Sequence, residues 1–224
     1  MCPSQRGLQD LLSICEKYAS RHDIKFNATK SVVVIRRSNI LKNTIVSPFY
    51  LCNEKLTEVQ DTKYLGHYIT ADGKDDLDIN RACRQLYAQG NSLIRKCSMC
   101  TEKVKVKLFQ TYCSQFYCAH LWRFNKTSKM YRKINVAYNN VFRSFLRIPR
   151  DENGRPCMAS GMFVTRKLKS FQEIVRTVVY KFTNRLDASD NLLVKSTLYI
   201  NVKNKSKLRK HWNGLLFTQG AAND

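Results

Sequence analysis

Apolar residues recur at helical spacing near the start of the chain. Their intervals are i, i+3, i+4, i+7, i+10 and i+11, which form one stripe of an amphipathic helix. The pattern predicts a helix from about Gln5 to Arg21, with Ser4 as its N-cap. The apolar positions of the stripe are Leu8, Leu11, Leu12, Cys15, Tyr18 and Ala19.

Short β-branched and aromatic runs replace this period in the next segment. The run from Ser31 to Ile35 is too short and too β-branched for a good helix. We predict a small antiparallel sheet with Gly66 in the middle of its last strand and Asp72-Gly73 as the closing turn. The predicted strands are 24–26, 31–37, 49–52 and 59–69, with a turn at 27–30.

The helical period returns after residue 74. Asp75, Asp76 and Asp78 gather at a helix start, where acidic groups complement the helix dipole. Gly90 falls on the apolar stripe of this helix, so we expect another element to pack closely against it. The stripe consists of Ile79, Cys83, Leu86, Gly90, Leu93 and Cys97.

Further helices follow along the rest of the chain. The inward positions of the first two are predicted from their spacing, and Ile148-Pro149 ends the second. Residues 151–160 have the composition of a linker. The predicted helices are 101–120 with Phe109, Tyr112, Cys113 and Phe116 inward, 128–146 with Ile134, Ala137, Tyr138, Val141, Phe142 and Phe145 inward, and then 164–185, 189–195 and 207–217.

These elements together predict an α+β fold that is predominantly helical. The chain of 224 residues has room for one large or two small domains. We divide it into a segment 1–73 that carries one helix and the small antiparallel sheet, a helical segment 74–150, and a helical segment 151–224.

The net charge of +22 indicates a polyanionic partner. Half of this excess falls on residues 71–150, where the helices are predicted. Charge spread over helices favours a nucleic-acid duplex over an anionic membrane surface. No run of 18 apolar residues predicts a membrane span, and no signal-peptide pattern predicts secretion.

The nine cysteines of the chain allow two interpretations. Cys97, Cys100, Cys113 and Cys118, with His120, resemble a zinc-ligand set. Against this, Cys97 and Cys113 lie on apolar helix stripes, which favours buried free thiols in a reducing, intracellular compartment. We therefore predict no metal site, and the sequence does not distinguish nucleus from cytoplasm.

Two short motifs occur in order along the chain, Phe26-Asn27-Ala28-Thr29-Lys30-Ser31 and Lys63-Tyr64-Leu65-Gly66. They resemble motif D and motif E, the primer grip, of the reverse transcriptases of non-LTR (LINE-type) retrotransposons of the jockey and chicken-repeat sort. Residues 75–147 resemble the thumb, and residues 162–217 the tail. The resemblance implies a partial palm at 1–73, a thumb at 74–150 and a C-terminal tail at 151–224.

The resemblance also implies roles for named residues. Lys30 would be the motif D lysine near the incoming triphosphate, and residues 63–66 would position the primer end. Thumb helices would contact the phosphates of a template–primer through Lys and Arg. The basic residues proposed for this contact are Arg81, Arg84, Arg95, Lys96, Lys103, Lys107, Arg143 and Arg147, in a series that also includes Arg123, Lys126, Arg132 and Lys133.

One departure from the family concerns the chemistry. Its members hold two metal ions with aspartates that lie upstream of motif D, and Asp10, Asp23 and Asp61 match none of those positions. Mg²⁺ and deoxynucleoside triphosphates are therefore implied for a parent enzyme, and we expect no catalytic residue, cofactor or polymerase activity in this chain alone.

The expected partners are an RNA–DNA hybrid or primed template and the upstream remainder of a polyprotein, with no membrane. Without that remainder, we expect apolar surface to be exposed on residues 8–19. The alternatives are a non-catalytic nucleic-acid-binding remnant or domesticated module and, less favoured, a zinc-stabilised interaction domain.

Overall fold

The structure is a computed structural model that describes residues 2–37, 45–123, 128–149, 159–195 and 207–217. Its mostly helical content, with small sheets, confirms the predicted α+β class. The chain forms two compact units, residues 1–75 and 76–224. The division lies close to the predicted boundary at 73/74, and the segments predicted as 74–150 and 151–224 belong to the same unit.

The first unit begins with helix α1, Gln5–Arg21, whose bounds match the prediction. Ser4 is its N-cap, because the Ser4 hydroxyl accepts a hydrogen bond from the backbone N–H of Gly7 at 3.2 Å. The Gln9 amide ties the helix to the following sheet, since it donates to the Tyr50 carbonyl at 3.0 Å and accepts from the Tyr50 N–H at 3.1 Å.

The predicted single antiparallel sheet is wrong. Three two-stranded sheets are present in the described part of the first unit, and one of them is parallel. Residues 24–26 form no strand, and the strand predicted over 31–37 shrinks to two residues. The pairs are β1 Val32–Val33 parallel to β4 Thr57–Glu58, β2 Tyr50–Leu51 antiparallel to β3 Glu54–Lys55, and β5 Asp61–Tyr64 antiparallel to β6 His67–Thr70.

The core of the first unit is small. It is built around four buried side chains, Ala28, Phe49, Leu51 and Leu56. The apolar stripe of α1 only partly joins this core. Its outer part, with the neighbouring Ile14, remains open to solvent: Leu11 is 46%, Tyr18 58% and Ile14 61% exposed.

The second unit is a helical body around one large apolar core. Helices from both of its predicted segments contribute to this core, which contains Phe109, Tyr138, Phe142 and Phe171. Its main helices are α2 Asp76–Cys97, α3 Glu102–Tyr112, α4 Lys129–Leu146, α5 Ala159–Val164, α6 Phe171–Asp187 and α7 Lys207–Phe217. The bounds of α7 match the prediction, whereas the helix predicted over 189–195 is a single turn at 192–195.

The apolar stripes predicted for α2 and α4 are confirmed, apart from Cys97, which is only partly buried. The expected close approach at Gly90 is also present: a Cβ added there would lie 2.2 Å from Cγ1 of Val141 on α4. Ser128 caps α4 through a hydrogen bond from the N–H of Tyr131 at 3.2 Å.

Two helix predictions are corrected. The helix predicted over 101–120 ends at Tyr112, and the chain then turns through irregular backbone in which Cys118 has φ 66°. Tyr112 is 52% exposed rather than inward. The helix predicted over 164–185 begins only at Phe171, as α6, because Val164 is the last residue of α5 and the chain turns between the two helices at Lys167, which has φ 53°. Residues 151–158 of the predicted linker lie outside the described residues.

Candidate nucleic-acid interface

The solvent face of α2 is basic. Arg84 and Arg95 are both exposed and lie eleven residues apart, which is close to three helical turns, so they share one side of the helix. Asn91 lies between them on the same side. No acidic residue occurs between Asp78 and Glu102 in the sequence. The acidic residues of α2, Asp76 and Asp78, both lie in its first turn, so the stretch from Arg84 to Arg95 carries no negative charge.

Helix α4 presents a second basic face. Its sequence from Lys129 to Leu146 contains no acidic residue. Lys129, Lys133 and Asn140 are exposed along one side of the helix, and Arg147 follows in line at its C-cap. The opposite side carries the apolar core residues, so most of the charge on this helix, apart from the partly buried Arg143, faces away from the core.

Two contacts show how these faces adjoin. The Lys133 ammonium donates to the Asn80 side-chain oxygen at 2.6 Å, and Val141 packs against Gly90 about two turns further along. Both contacts advance in the same direction on both helices, so α2 and α4 run parallel. We call their joined solvent surface the basic face, and it comprises Asn80, Arg84, Asn91 and Arg95 of α2 with Lys129, Lys133, Asn140 and Arg147.

A buried ion pair lies beneath the start of α2. Asp78 has no exposed surface, and its carboxylate accepts from Arg81 Nε at 2.8 Å and from Trp122 Nε1 at 2.7 Å. This acid was predicted only to complement the helix dipole. Its burial means that it compensates Arg81 rather than the basic face.

Arg81 and Arg143 are therefore less suited to phosphate contact than predicted. The Arg81 side chain is only 18% exposed and is paired with Asp78. Arg143 is partly buried, and its Nη1 donates to the Asn140 side chain at 3.4 Å. The predicted set did not distinguish them from their exposed neighbours, although Asp78 three residues before Arg81 is at the spacing of a helical ion pair.

The remaining predicted basic residues are exposed. Lys96 follows Arg95 but points about 100° away around α2. Lys103 and Lys107 share one side of α3, four residues apart. Arg132 is exposed on α4, and Arg123 is exposed just after the α3 loop, whereas Lys126 lies outside the described residues.

In the first unit, residues 63–66 form the tip of the β5–β6 hairpin. Tyr64 pairs with His67, and Leu65-Gly66 makes the two-residue turn with φ 48° and 83°. Gly66 therefore lies in a turn and not inside a strand as predicted. Two positive φ angles are typical of the tight turn that matches strand twist. The hairpin presents Tyr64 and Leu65 to solvent, at 61% and 73% exposed.

Lys30 ends a short 3₁₀-helix, Ala28–Lys30. The Asn27 side chain accepts from the Lys30 backbone N–H at 3.0 Å, so Asn27 fixes the local backbone. The Lys30 side chain is exposed. This geometry is the predicted turn, and it leaves the ammonium group available for an anion.

The proposed zinc ligands do not form a site in the structure. Among the described residues, no three His, Cys, Asp or Glu side chains are arranged to hold a metal ion. Cys113 is buried, and burial raises the pKa of its thiol to about 12. Burial also raises the pKa of Cys118, and the nearby Asp78 carboxylate adds to this effect. A raised pKa opposes the thiolate form that zinc requires.

Over the described ranges, no helix is both long enough and apolar enough to cross a bilayer. Comparison of the chain with protein-family models, with curated protein sequences and with solved structures finds no match.

Proposed function

We propose that this chain binds template–primer nucleic acid as part of a reverse transcriptase of the non-LTR retrotransposon type. The observation that carries the proposal is the basic face, in which two parallel helices adjoin whose acidic residues lie only in the first turn of α2, at Asp76 and the buried Asp78. Such a surface suits a phosphate backbone, because Lys and Arg neutralise phosphates without reading sequence.

The dimensions of the basic face suit a single strand of a duplex. Eleven residues of helix separate Arg84 from Arg95, a rise of about 16 Å. This is the axial length of about five nucleotides of one strand at 3.4 Å each. Polar side chains such as Asn91 and Asn140 between the charges can donate to phosphate oxygens over this length.

The β5–β6 hairpin is proposed to contact the primer end. Its exposed tip offers one aromatic ring at Tyr64 and a glycine that allows close backbone approach at Gly66. The motif resemblance supports this assignment, as does the exposure of the tip. Lys30 is proposed as the motif D lysine on the same grounds.

We propose no catalytic role for this chain alone. The family resemblance matches none of Asp10, Asp23 and Asp61 to the aspartates that hold the two metal ions in such enzymes. Purified chain should therefore give no template-directed primer extension with Mg²⁺ and deoxynucleoside triphosphates. Extension that a chelator abolishes would contradict this expectation.

The exposed part of the α1 stripe favours the reverse transcriptase assignment over a free-standing binding module. Leu11, Ile14 and Tyr18 form an apolar surface that a neighbouring palm segment would cover. We propose the remainder of a polyprotein as this partner. We also propose a reducing intracellular compartment for the chain, in which buried thiols such as those of Cys83 and Cys113 remain reduced.

The proposal is tested by the salt dependence of binding. Fluorescence anisotropy measures the affinity of a labelled RNA–DNA hybrid for the chain across a salt series. Replacing Arg84, Arg95, Lys129 and Arg147 by Gln should weaken binding and reduce the slope of log K against log salt by about 3 to 4.

A matched variant distinguishes the effect of the basic face on binding from the effect of net charge. Lys17, Lys25, Lys181 and Arg185 are exposed elsewhere, and replacing these four by Gln removes the same charge. This variant should retain most of the slope. Equal losses in both variants, or no binding of the wild-type chain at low salt, would refute the basic face.

A further inference from the structure

An open cleft lies beside the basic face on the other flank of α2. It has a volume of about 450 Å³ and is lined by α2, the end of α3, the loop after α3 and one side chain of α6. This volume is within the range of small-molecule sites, about 300–1,000 Å³. Neither the basic face nor the motif resemblance accounts for it.

The lining of the cleft is uncharged and rich in amides and rings. Gln85 and Gln89 enter it from α2, Gln115 from the loop, and Tyr112, Phe116 and Tyr117 supply aromatic surface. The tyrosines are 52% and 62% exposed, whereas Phe116 is buried at 8%. Primary amides that both donate and accept, next to exposed rings, match a planar heterocycle with hydrogen-bonding edges.

One amide is held in place by a chain of hydrogen bonds. Trp122 and Arg81 both donate to the buried Asp78 carboxylate, and Arg81 Nη1 also donates to the Gln85 side-chain oxygen at 3.1 Å. The Gln85 oxygen is thus occupied, and its NH₂ group remains to donate. The cleft therefore contains a donor whose orientation is set by a buried ion pair.

The wall of the cleft after α3 is fixed by aromatic packing. The Phe116 ring lies 5.1 Å from Phe171 and 6.5 Å from Trp122, both edge-on. Ser114 is fixed as well, because its hydroxyl lies 3.1 Å from the Tyr138 hydroxyl. Such contacts hold the irregular loop in place, so Gln115 and Tyr117 extend from a rigid base.

We propose that this cleft binds an unpaired nucleobase of an RNA strand that extends beyond the duplex. The inference rests on the proposed function, because Arg84 immediately precedes Gln85 on α2 and so places the basic face next to the cleft. A strand whose phosphates contact Arg84 can turn one base toward Gln85, where Tyr112 or Tyr117 stacks on it. The amides then bond its Watson–Crick edge.

The test compares three labelled RNA–DNA hybrids in anisotropy titrations with the full chain. One is blunt, one carries a short single-stranded RNA extension, and one carries the same extension with abasic nucleotides. The extended hybrid should bind about five- to tenfold more tightly than the blunt one. The abasic extension should lose most of this gain, because phosphates without bases cannot occupy the cleft.

Substitutions in the cleft test whether its residues cause the gain in affinity for the extended hybrid. Gln89→Ala with Gln115→Ala, and separately Tyr112→Ala, should reduce affinity for the extended hybrid about fivefold and leave the blunt hybrid unchanged. The controls are Gln110→Ala and Tyr180→Ala, since both side chains are exposed outside the cleft. Circular dichroism should show the same helical content for all variants.

The outcomes separate the two proposals. If the blunt hybrid fails to bind, the proposed function fails. If it binds but base-bearing and abasic extensions bind equally, the cleft proposal is wrong and the basic face stands. Equal losses in the cleft variants and their controls would also overturn it.

Discussion

Asp78 is the residue on which the packing at the start of α2 depends most. Its carboxylate has no exposed surface and accepts from Arg81 and Trp122. Removing it leaves a guanidinium and an indole N–H without this acceptor in a site that excludes most water. Asp78→Ala should therefore lower the free energy of unfolding by about 3–5 kcal/mol, measured by urea denaturation.

Asp76 is the matched control, because it lies in the same first helical turn and is exposed. Asp76→Ala should cost less than about 1 kcal/mol, the usual value of an exposed charge near a helix N-terminus. A similar loss in both variants would show that Asp78 acts only on the helix dipole.

Cysteine reactivity should follow burial in the native chain. Cys15 and Cys52 are exposed, whereas Cys113 is buried. Maleimide labelling at pH 8, mapped by mass spectrometry, should modify Cys15 and Cys52 rapidly and Cys113 only after unfolding. Rapid labelling of Cys113 in the native chain would contradict the buried position.

The buried Cys113 thiol should also make the stability of the chain depend on pH in the alkaline range. Burial raises the pKa of Cys113 from its ordinary value of 9.0 to about 12. Below pH 9 the thiol is protonated in both states and adds no pH dependence. Between pH 9 and 12 only the unfolded chain loses this proton, so the contribution of Cys113 to stability falls as pH rises.

At the scale of elements, the α2–α4 contact determines whether the basic face exists. Gly90 allows the two helices to approach, and Val141 occupies the space that a side chain would need. Gly90→Ala should lower stability by about 1–3 kcal/mol, although alanine favours a helix. Urea denaturation measures the loss, and hybrid binding should weaken in parallel.

Two further variants test whether a steric clash causes the loss of stability in Gly90→Ala. Val141→Ala combined with Gly90→Ala should cost less than the sum of the single changes, because the smaller side chain frees the space. Gly161→Ala on α5 is the control, since no atom lies within 4 Å of its added Cβ. A loss at Gly161 equal to that at Gly90 would argue against steric contact.

The helices could be predicted where caps and apolar period agree. Gln5–Arg21 and Lys129–Leu146 begin at serines that cap them, and the stripe of Lys129–Leu146 matches the observed core, whereas that of Gln5–Arg21 is buried only in part. The helix after Thr101 was extended too far, because Phe109, Cys113 and Phe116 keep a helical interval while the backbone leaves the helix. The spacing of apolar residues alone does not show where the backbone leaves the helix.

The break between α5 and α6 had a signal that the periodicity concealed. Ser170 and Glu173 form a capping box, in which each side chain bonds the backbone of the other. The hairpin turn was harder to recognise, because Leu65 occupies a positive-φ position that usually favours Asn, Asp or Gly. Gly66 was therefore interpreted as a close approach within a strand.

The sequence predicted that the candidate nucleic-acid interface is basic and helical, but it identified only some of the residues that form it. The basic residues implied by the resemblance include Arg84, Arg95 and Arg147, but the sequence does not rank them above partly buried members of the set such as Arg81. It could not place Lys133 beside Asn80, since those residues are brought together by the Gly90–Val141 contact. The cleft was missed because glutamines and tyrosines at these spacings carry no distinctive sequence signal.

At the scale of the whole molecule, the two units differ greatly in core size. The core of the first unit is built around four buried side chains, whereas the second unit buries a large aromatic cluster. Both tryptophans, Trp122 and Trp212, are buried in the second unit, so tryptophan fluorescence reports that unit alone. Because stability scales with buried apolar area, the units should not unfold together.

We expect hydrogen exchange in α1 and in the β5–β6 hairpin to reveal opening at lower urea concentrations than the fluorescence transition. Coincident transitions would contradict independent units. A saturating RNA–DNA hybrid then distinguishes the two proposed contacts. At one hundred times its Kd, a ligand stabilises the unit it binds by about 2.7 kcal/mol. Binding through the basic face alone should raise only the fluorescence midpoint, whereas slower exchange in the hairpin as well would support the primer-grip assignment.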